Sequence, residues 1–183
     1  MLTLGIIADT HVPDRASRLN PKAIAIFRKV GVAAILHAGD ICSPDVLAQL
    51  GDIAPVHAVQ GNRDIWRLSH LPLKLSLEFE GVEIGLTHGH GGIASYFTQK
   101  LSYLIGGYQF FKLQHSLRRA FPSARVIIFG HTHRRENKWS DDVLIFNPGP
   151  ASEFHWVKHP ASVGLLRIHQ GQVLSAEIVP LVD

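Results

Sequence analysis

The chain has 183 residues, 46% of them hydrophobic and 18% charged, with a formal net charge of +3. This length suits one domain, residues 1–183, with a substantial core, and the composition excludes a disordered or low-complexity protein. The small positive excess hints at anionic ligands and argues against a long nucleic-acid polymer as partner, while the single cysteine, Cys42, excludes an internal disulfide and fits a reducing, cytoplasmic compartment.

The N-terminal run "MLTLGIIADTH" is apolar but short and carries no basic leader. It reads as a first strand and not as a signal peptide, and nothing later approaches membrane-spanning length. "LTLGIIA" stops at Asp9-Thr10-His11. A helix follows in "NPKAIAIFRKVG", with Asn20 as N-cap, Pro21 in the first turn and Gly31 as the stop. The strand "VAAILHA" stops at Gly39-Asp40. "SPDVLAQLG" opens a second helix at Ser43-Pro44, with Gly51 as its C-terminal glycine. "PVHAVQ" stops at Gly61-Asn62-Arg63-Asp64. Strand, helix, strand, helix, strand predicts parallel strands joined by crossovers.

The pattern then changes. "LKLSLEFEGVEIGLTHG" alternates apolar and polar residues around Glu80-Gly81, a hairpin signal, and ends at His88-Gly89-His90. Residues 93–121 have a helical period, with Gly106-Gly107 separating two helices. The aromatics from Tyr96 to Phe111 read as core, with a substrate lid as the alternative and a surface for homo-oligomer formation as a further one. "RVIIF" runs into Gly130-His131-Thr132-His133, and "VLIF" into Asn147-Pro148-Gly149-Pro150. The C-terminal "SVGLLRIHQGQVLSAEIVPL" reads as a second hairpin. The expected fold is a layered α/β protein with parallel and antiparallel strands and no linker.

Each polar cluster follows a strand, so the clusters gather at strand C-terminal ends, where open α/β sheets border a ligand crevice. Two histidines at positions 131 and 133 would point to the same side of an extended backbone. The collected set is Asp9, His11, Asp40, Asn62, His88, His131 and His133. Carboxylate, carboxamide and imidazole without thiolate suit manganese, iron, nickel, cobalt or zinc. The set is too large for one open catalytic metal, whereas a pair sharing a carboxylate would use it all. His37, His57, His70, His115, His155, His159 and His169 match no motif and read as structural or surface residues, and Cys42 as a small buried thiol.

The ordered set D-x-H, G-D, G-N-x-D, H-G, G-H-x-H, spanning Asp9 to Ser152 with the "LTHGH" and "NPGPAS" runs, resembles the calcineurin-like metallophosphoesterases, in particular their small bacterial and archaeal phosphodiesterase branch. The resemblance implies a four-layer sandwich of two mixed β-sheets flanked by helices. It implies two divalent metal ions, manganese favoured: one held by Asp9, His11, Asp40 and His133, the other by Asp40, Asn62, His88 and His131, with Asp40 bridging. It further implies hydrolysis of small or aryl phosphodiesters, cyclic nucleotides among the candidates, by a metal-bridging hydroxide. Asp40 and Asn62 belong to the catalytic set as ligands. Many members carry histidine after the G-N dipeptide; here Arg63 stands there, suited to binding phosphate oxygens and unable to donate a proton near neutral pH. His90, two residues beyond His88, is the substitute candidate for a substrate or acid role. The alternative on the same fold is a non-catalytic protein-binding scaffold, like the retromer subunit that resembles this family.

Overall fold

The computed structural model describes residues 1–89, 110–153 and 159–182. Ten strands are found among them: β1 Leu2–Ile7, β2 Ala34–His37, β3 Val56–Ala58, β4 Lys74–Phe79, β5 Val82–Thr87, β6 Val126–Ile128, β7 Glu136–Ser140, β8 Val143–Asn147, β9 Ser162–His169 and β10 Gln172–Pro180. Three helices accompany them: α1 Pro21–Val30, α2 Pro44–Gly51 and α3 Phe110–Ala120.

The strands form two mixed five-stranded sheets, ordered β10-β9-β1-β2-β3 and β4-β5-β6-β8-β7. β1, β2 and β3 are mutually parallel, as are β5, β6 and β8; the outer pairings are antiparallel. Three apolar clusters set the layers. Leu4, Ile6 and Leu36 of the first sheet meet Ile84, Ile128 and Phe146 of the second. On the outer face of the first sheet, Ile35 and Val163 pack against Phe27 of α1 and Leu50 of α2. On the outer face of the second, Ile127 and Ile145 pack against Leu117 and Phe121. Alternate residues of one strand therefore serve two cores, which is why these strands read as unbroken apolar runs. The result is the expected four layers.

Local signals hold well. Asn20 Oδ1 accepts from Lys22 N, and Gly31 closes α1 in the left-handed conformation. Ser43 caps α2 through Asp45 N. Gly51 is the last residue of α2, as expected, and Asp52 is the C-cap with right-handed dihedrals. β7 was not expected from the sequence, because "ENKWS" has little apolar character. It is an edge strand with exposed residues, held by antiparallel pairing to β8. The proposed helix break at Gly106-Gly107 and the aromatics from 96 to 109 lie outside the described residues, whereas Phe111, expected in the core, is 78% exposed. No described helix is long and apolar enough to cross a membrane.

Gly85 lets α3 approach the second sheet: a Cβ there would lie 2.6 Å from Cδ1 of the buried Phe121 ring. Gly85→Ala should therefore destabilise the fold by about 1–3 kcal/mol through overpacking. Urea unfolding of wild type and variant checks this; an unchanged midpoint would mean that α3 does not pack where it is described.

Candidate metal centre

The C-terminal ends of the parallel strands of both sheets meet at one edge, and the sequence clusters that lie within the described residues fall there. Asp9 and His11 follow β1, Asp40 follows β2, Asn62 follows β3, His88 follows β5, and His131 and His133 follow β6. Asp9, His11, Asp40 and His88 are buried, while Asn62, His131 and His133 are partly exposed. Asp9, His11 and His133 present donor atoms within 4.8 Å of one another, and so do Asp9, Asp40 and His88; either group could hold a metal ion.

The two carboxylates link these groups. Asp40 Oδ2 lies 3.7 Å from His11 Nε2, while its Oδ1 lies 3.4 Å from His88 Nε2. Asp9 Oδ1 lies 3.4 Å from His133 Nε2, and its carboxylate also accepts from His131 N at 3.2 Å. His88 Nε2 is 3.2 Å from Asn62 Oδ1, and the His88 and His131 rings meet edge to face at 5.1 Å. His11 Nε2 and His133 Nε2 face each other at 3.3 Å.

This arrangement fits a cation. His88 Nδ1 donates to Ala38 O at 2.7 Å, which fixes the ring and leaves Nε2 pointing at two oxygen acceptors. Lone pairs converge there, and only a proton or a metal ion relieves them. Burial disfavours a charged His88, but the adjacent Asp40 and Asp9 outweigh it and raise its pKa to about 9. Burial would likewise raise both aspartates, yet His133 and His88 hold Asp9 below the usual carboxylate range, and His88 and His11 hold Asp40 well below it. His11 takes the other course: burial outweighs both aspartates and lowers it to about 4, so it is a neutral ligand-type imidazole.

The loops reach this geometry through uncommon backbone. Nine non-glycine residues among those described have positive φ. Six are Asp9, His11, Asp40, Cys42, His131 and His133; the other three sit at the turns of hairpins. Left-handed residues concentrated at one site signal a functional constraint. They also correct the expectation that His131 and His133 share a side in extended backbone. With φ of 67° and 52° the loop turns, sending His131 to His88 and His133 to His11. Gly130 permits the approach, since a Cβ there would lie 2.8 Å from Ala38 O and 3.0 Å from Asp9 Oδ2.

The remaining candidates are placed as follows. The Arg63 guanidinium lies 3.6 Å from Asp14, and Arg63 N donates to Asp40 Oδ1. His90 and His155 lie outside the described residues. Cys42 is buried beneath His11, Sγ to Nδ1 3.9 Å, and burial pushes its thiol far up in pKa. His37 is buried against Thr10 Oγ1, and burial lowers its pKa to about 3. His57 meets the Phe79 ring, His169 faces Glu80, and His70, His115 and His159 are exposed.

The calcineurin-like phosphoesterase superfamily domain matches residues 2–171. A probable metallophosphoesterase of Methanothermobacter thermautotrophicus is 37% identical over 178 residues, covering 97% of this chain and 92% of that protein. A phosphodiesterase of Methanocaldococcus jannaschii is 29% identical over 163 residues, covering 81% of this chain and 83% of its own. Among solved structures, zinc-bound Vps29 of Entamoeba histolytica superposes with a TM-score of 0.73 at 23% identity, covering 99% of this chain and all of that one.

Several supporting residues were not singled out from the sequence. Asp64 is fully buried and accepts from Ile41 N, Cys42 N and Gly61 N at 2.7–2.9 Å, tying the loop after β2 to the loop after β3. Asn147 donates to Gly130 O and Thr132 Oγ1 and accepts from Gly149 N, bracing the loop that carries His131 and His133. Ser152 donates to Thr10 O, bracing the loop of Asp9 and His11. The fourth residue of G-N-x-D and the "NPGPAS" run were the available signals. Asp64→Ala would strand three buried N–H donors, each costing about 1–3 kcal/mol when unsatisfied. The variant should unfold at markedly lower denaturant and lose metal affinity in parallel, as calorimetry and metal titration would read. Wild-type stability would mean that these donors find other partners.

Proposed function

The chain belongs to the calcineurin-like phosphoesterase superfamily, and on that premise we propose that it is a dinuclear metal-dependent phosphodiesterase of small or aryl diesters. The observation that carries this reading is the pair of donor groups joined by Asp9, with the two oxygens of Asp40 turned to His11 on one side and His88 on the other. A similar chain named a phosphodiesterase supports the diester class.

Asp9, His11, Asp40 and His133 would hold one divalent ion, and Asp40, Asn62, His88 and His131 the other, manganese being the favoured metal for this oxygen- and nitrogen-rich set. Bound there, such ions supply Lewis acidity, acidifying water and offsetting charge that develops on phosphate oxygens. The chain's own residues do the rest. Asp9 and Asp40 concentrate negative charge that neutralises the cations. His88 is oriented by Ala38 O, and His11 rests on Cys42. Asn62 contributes a neutral oxygen, which leaves more of the cation's charge for the substrate. Arg63, half exposed beside the site, is available to a phosphate oxygen through a guanidinium that Asp14 positions. A diester suits this set: an aryl leaving group departs without a proton, and arginine supplies none.

Metal content and hydrolysis of bis(p-nitrophenyl) phosphate test the proposal together. The purified protein should bind two manganese ions and cleave the diester. The second reading, a protein-binding scaffold, draws on the superposition with Vps29. It requires a metal-loaded protein with no turnover on any diester.

Two sets of variants sharpen the test. Asp40→Asn should weaken both metals and cost on the order of several kcal/mol of transition-state stabilisation. In anomalous scattering, His11→Ala should empty the first site preferentially and Asn62→Ala the second. Equal loss at both sites in both variants would refute the ligand partition. In the wild type, kcat/KM should be well above that for alkyl monoesters when aryl diesters are used, and Arg63→Ala should act mainly on KM, by about 1.5–3 kcal/mol. A monoester preference would overturn the diesterase reading.

A further inference from the structure

Trp66 is 87% exposed, an unusual state for an indole. It lies on the loop that carries Asn62 and Arg63. Asp64 N donates to Gly61 O and Leu68 N to Asp64 O, closing two successive turns that meet at Asp64. Asp64 and Leu68 are both buried and anchor the loop. Arg63 and Arg67 both reach Asp14, at 3.6 and 3.5 Å. Asn62 Oδ1 touches His88. Trp66 lies between the two arginines on this short loop, open to solvent.

The charge beside it is one-sided. Asp14 is a single carboxylate shared by two guanidiniums, so the trio keeps a positive excess. Arg63 adjoins Asn62, and one diester phosphate engages it; Arg67 is a second cation on the same loop. An exposed aromatic face interleaved with arginines is the chemistry that holds a nucleobase and its flanking phosphate.

We infer that Trp66, Arg63 and Arg67 form a subsite for the nucleotide flanking the scissile bond, and that the substrate is a short single-stranded oligonucleotide bearing at least one further phosphate. The base stacks on the indole, and the adjoining phosphate meets the guanidinium pair. This rests on the phosphodiesterase reading and narrows its substrate class; cyclic mononucleotides lack the second phosphate that the pair receives.

The test is calorimetric binding to the manganese-loaded protein of a 5′-phosphorylated diadenylate whose bridging phosphate is replaced by an uncleavable methylphosphonate. Its abasic counterpart is the control. Wild type should prefer the base-bearing probe. Trp66→Ala should weaken that probe about ten-fold and leave the abasic one unchanged, and Trp66→Phe should restore most of the loss. Between about 50 mM and about 200 mM salt, Arg67→Ala should bind with a shallower salt dependence than wild type, by roughly 0.7 in the logarithmic slope. Equal affinity for the two probes, or no effect of Trp66→Ala, overturns the inference. So does a Trp66-dependent self-association in sedimentation without dinucleotide binding, which would assign the indole to a protein contact. Hydrolysis of bis(p-nitrophenyl) phosphate by wild type is read alongside. If it proceeds while the probes bind equally, the subsite fails and the phosphodiesterase stands. If it is absent while base-bearing probe binds through Trp66, the catalytic reading fails and the nucleotide subsite stands.

Discussion

Two buried carboxylates govern this structure. Asp9 and Asp40 sit where the C-terminal ends of two sheets converge, with side chains almost wholly withdrawn from water. Isolated charges in that setting would be expelled or neutralised. Here each is held by imidazoles and backbone N–H groups: Asp9 by His133 and His131 N, Asp40 by His88, His11 and Arg63 N. The concentrated negative charge raises the pKa of His88 against the opposing effect of burial, and the same charge favours a divalent cation there.

The surrounding architecture serves that concentration. Parallel strands in both sheets bring loop after loop to one edge, and the apolar packing between the sheets fixes their separation. Left-handed residues turn the loops sharply enough for donors from five strands to meet. Asp64, Asn147 and Ser152 then fasten loops to one another with buried hydrogen bonds. Backbone strain of about 1–3 kcal/mol per unfavourable residue persists only where the surroundings over-determine the conformation. These braces and the sheet ends are that over-determination.

The same fold carries proteins named as phosphodiesterases and others named for vacuolar sorting, so fold alone does not choose between chemistry and docking. The donor groups, which could hold a metal ion, bear on that choice.

Much of this was readable in the amino-acid order. Apolar runs ending in Asp, Asn or His placed six strands and the edge where they end. Asn20-Pro21 and Ser43-Pro44 announced two helices, and Glu80-Gly81 and the C-terminal "SVGLLRIHQGQVLSAEIVPL" two hairpins. The residue types alone pointed to oxygen- and nitrogen-loving divalent metals. These features are local, set by side-chain period and capping chemistry over a few positions. β7 was hidden because an edge strand needs only a partner, and "ENKWS" finds it in β8. The turn through His131 and His133 was hidden because positive φ at histidine is imposed by neighbours: Asp9 receives His131 N, and Asn147 holds Gly130 and Thr132. The raised pKa of His88, the lowered pKa of His11 and the bracing by Asp64 likewise depend on groups tens of residues away. Sequence determined which groups the molecule carries and on which strand ends they fall; tertiary structure alone decided their distances and charges, because burial and Coulomb energy depend on separation in space.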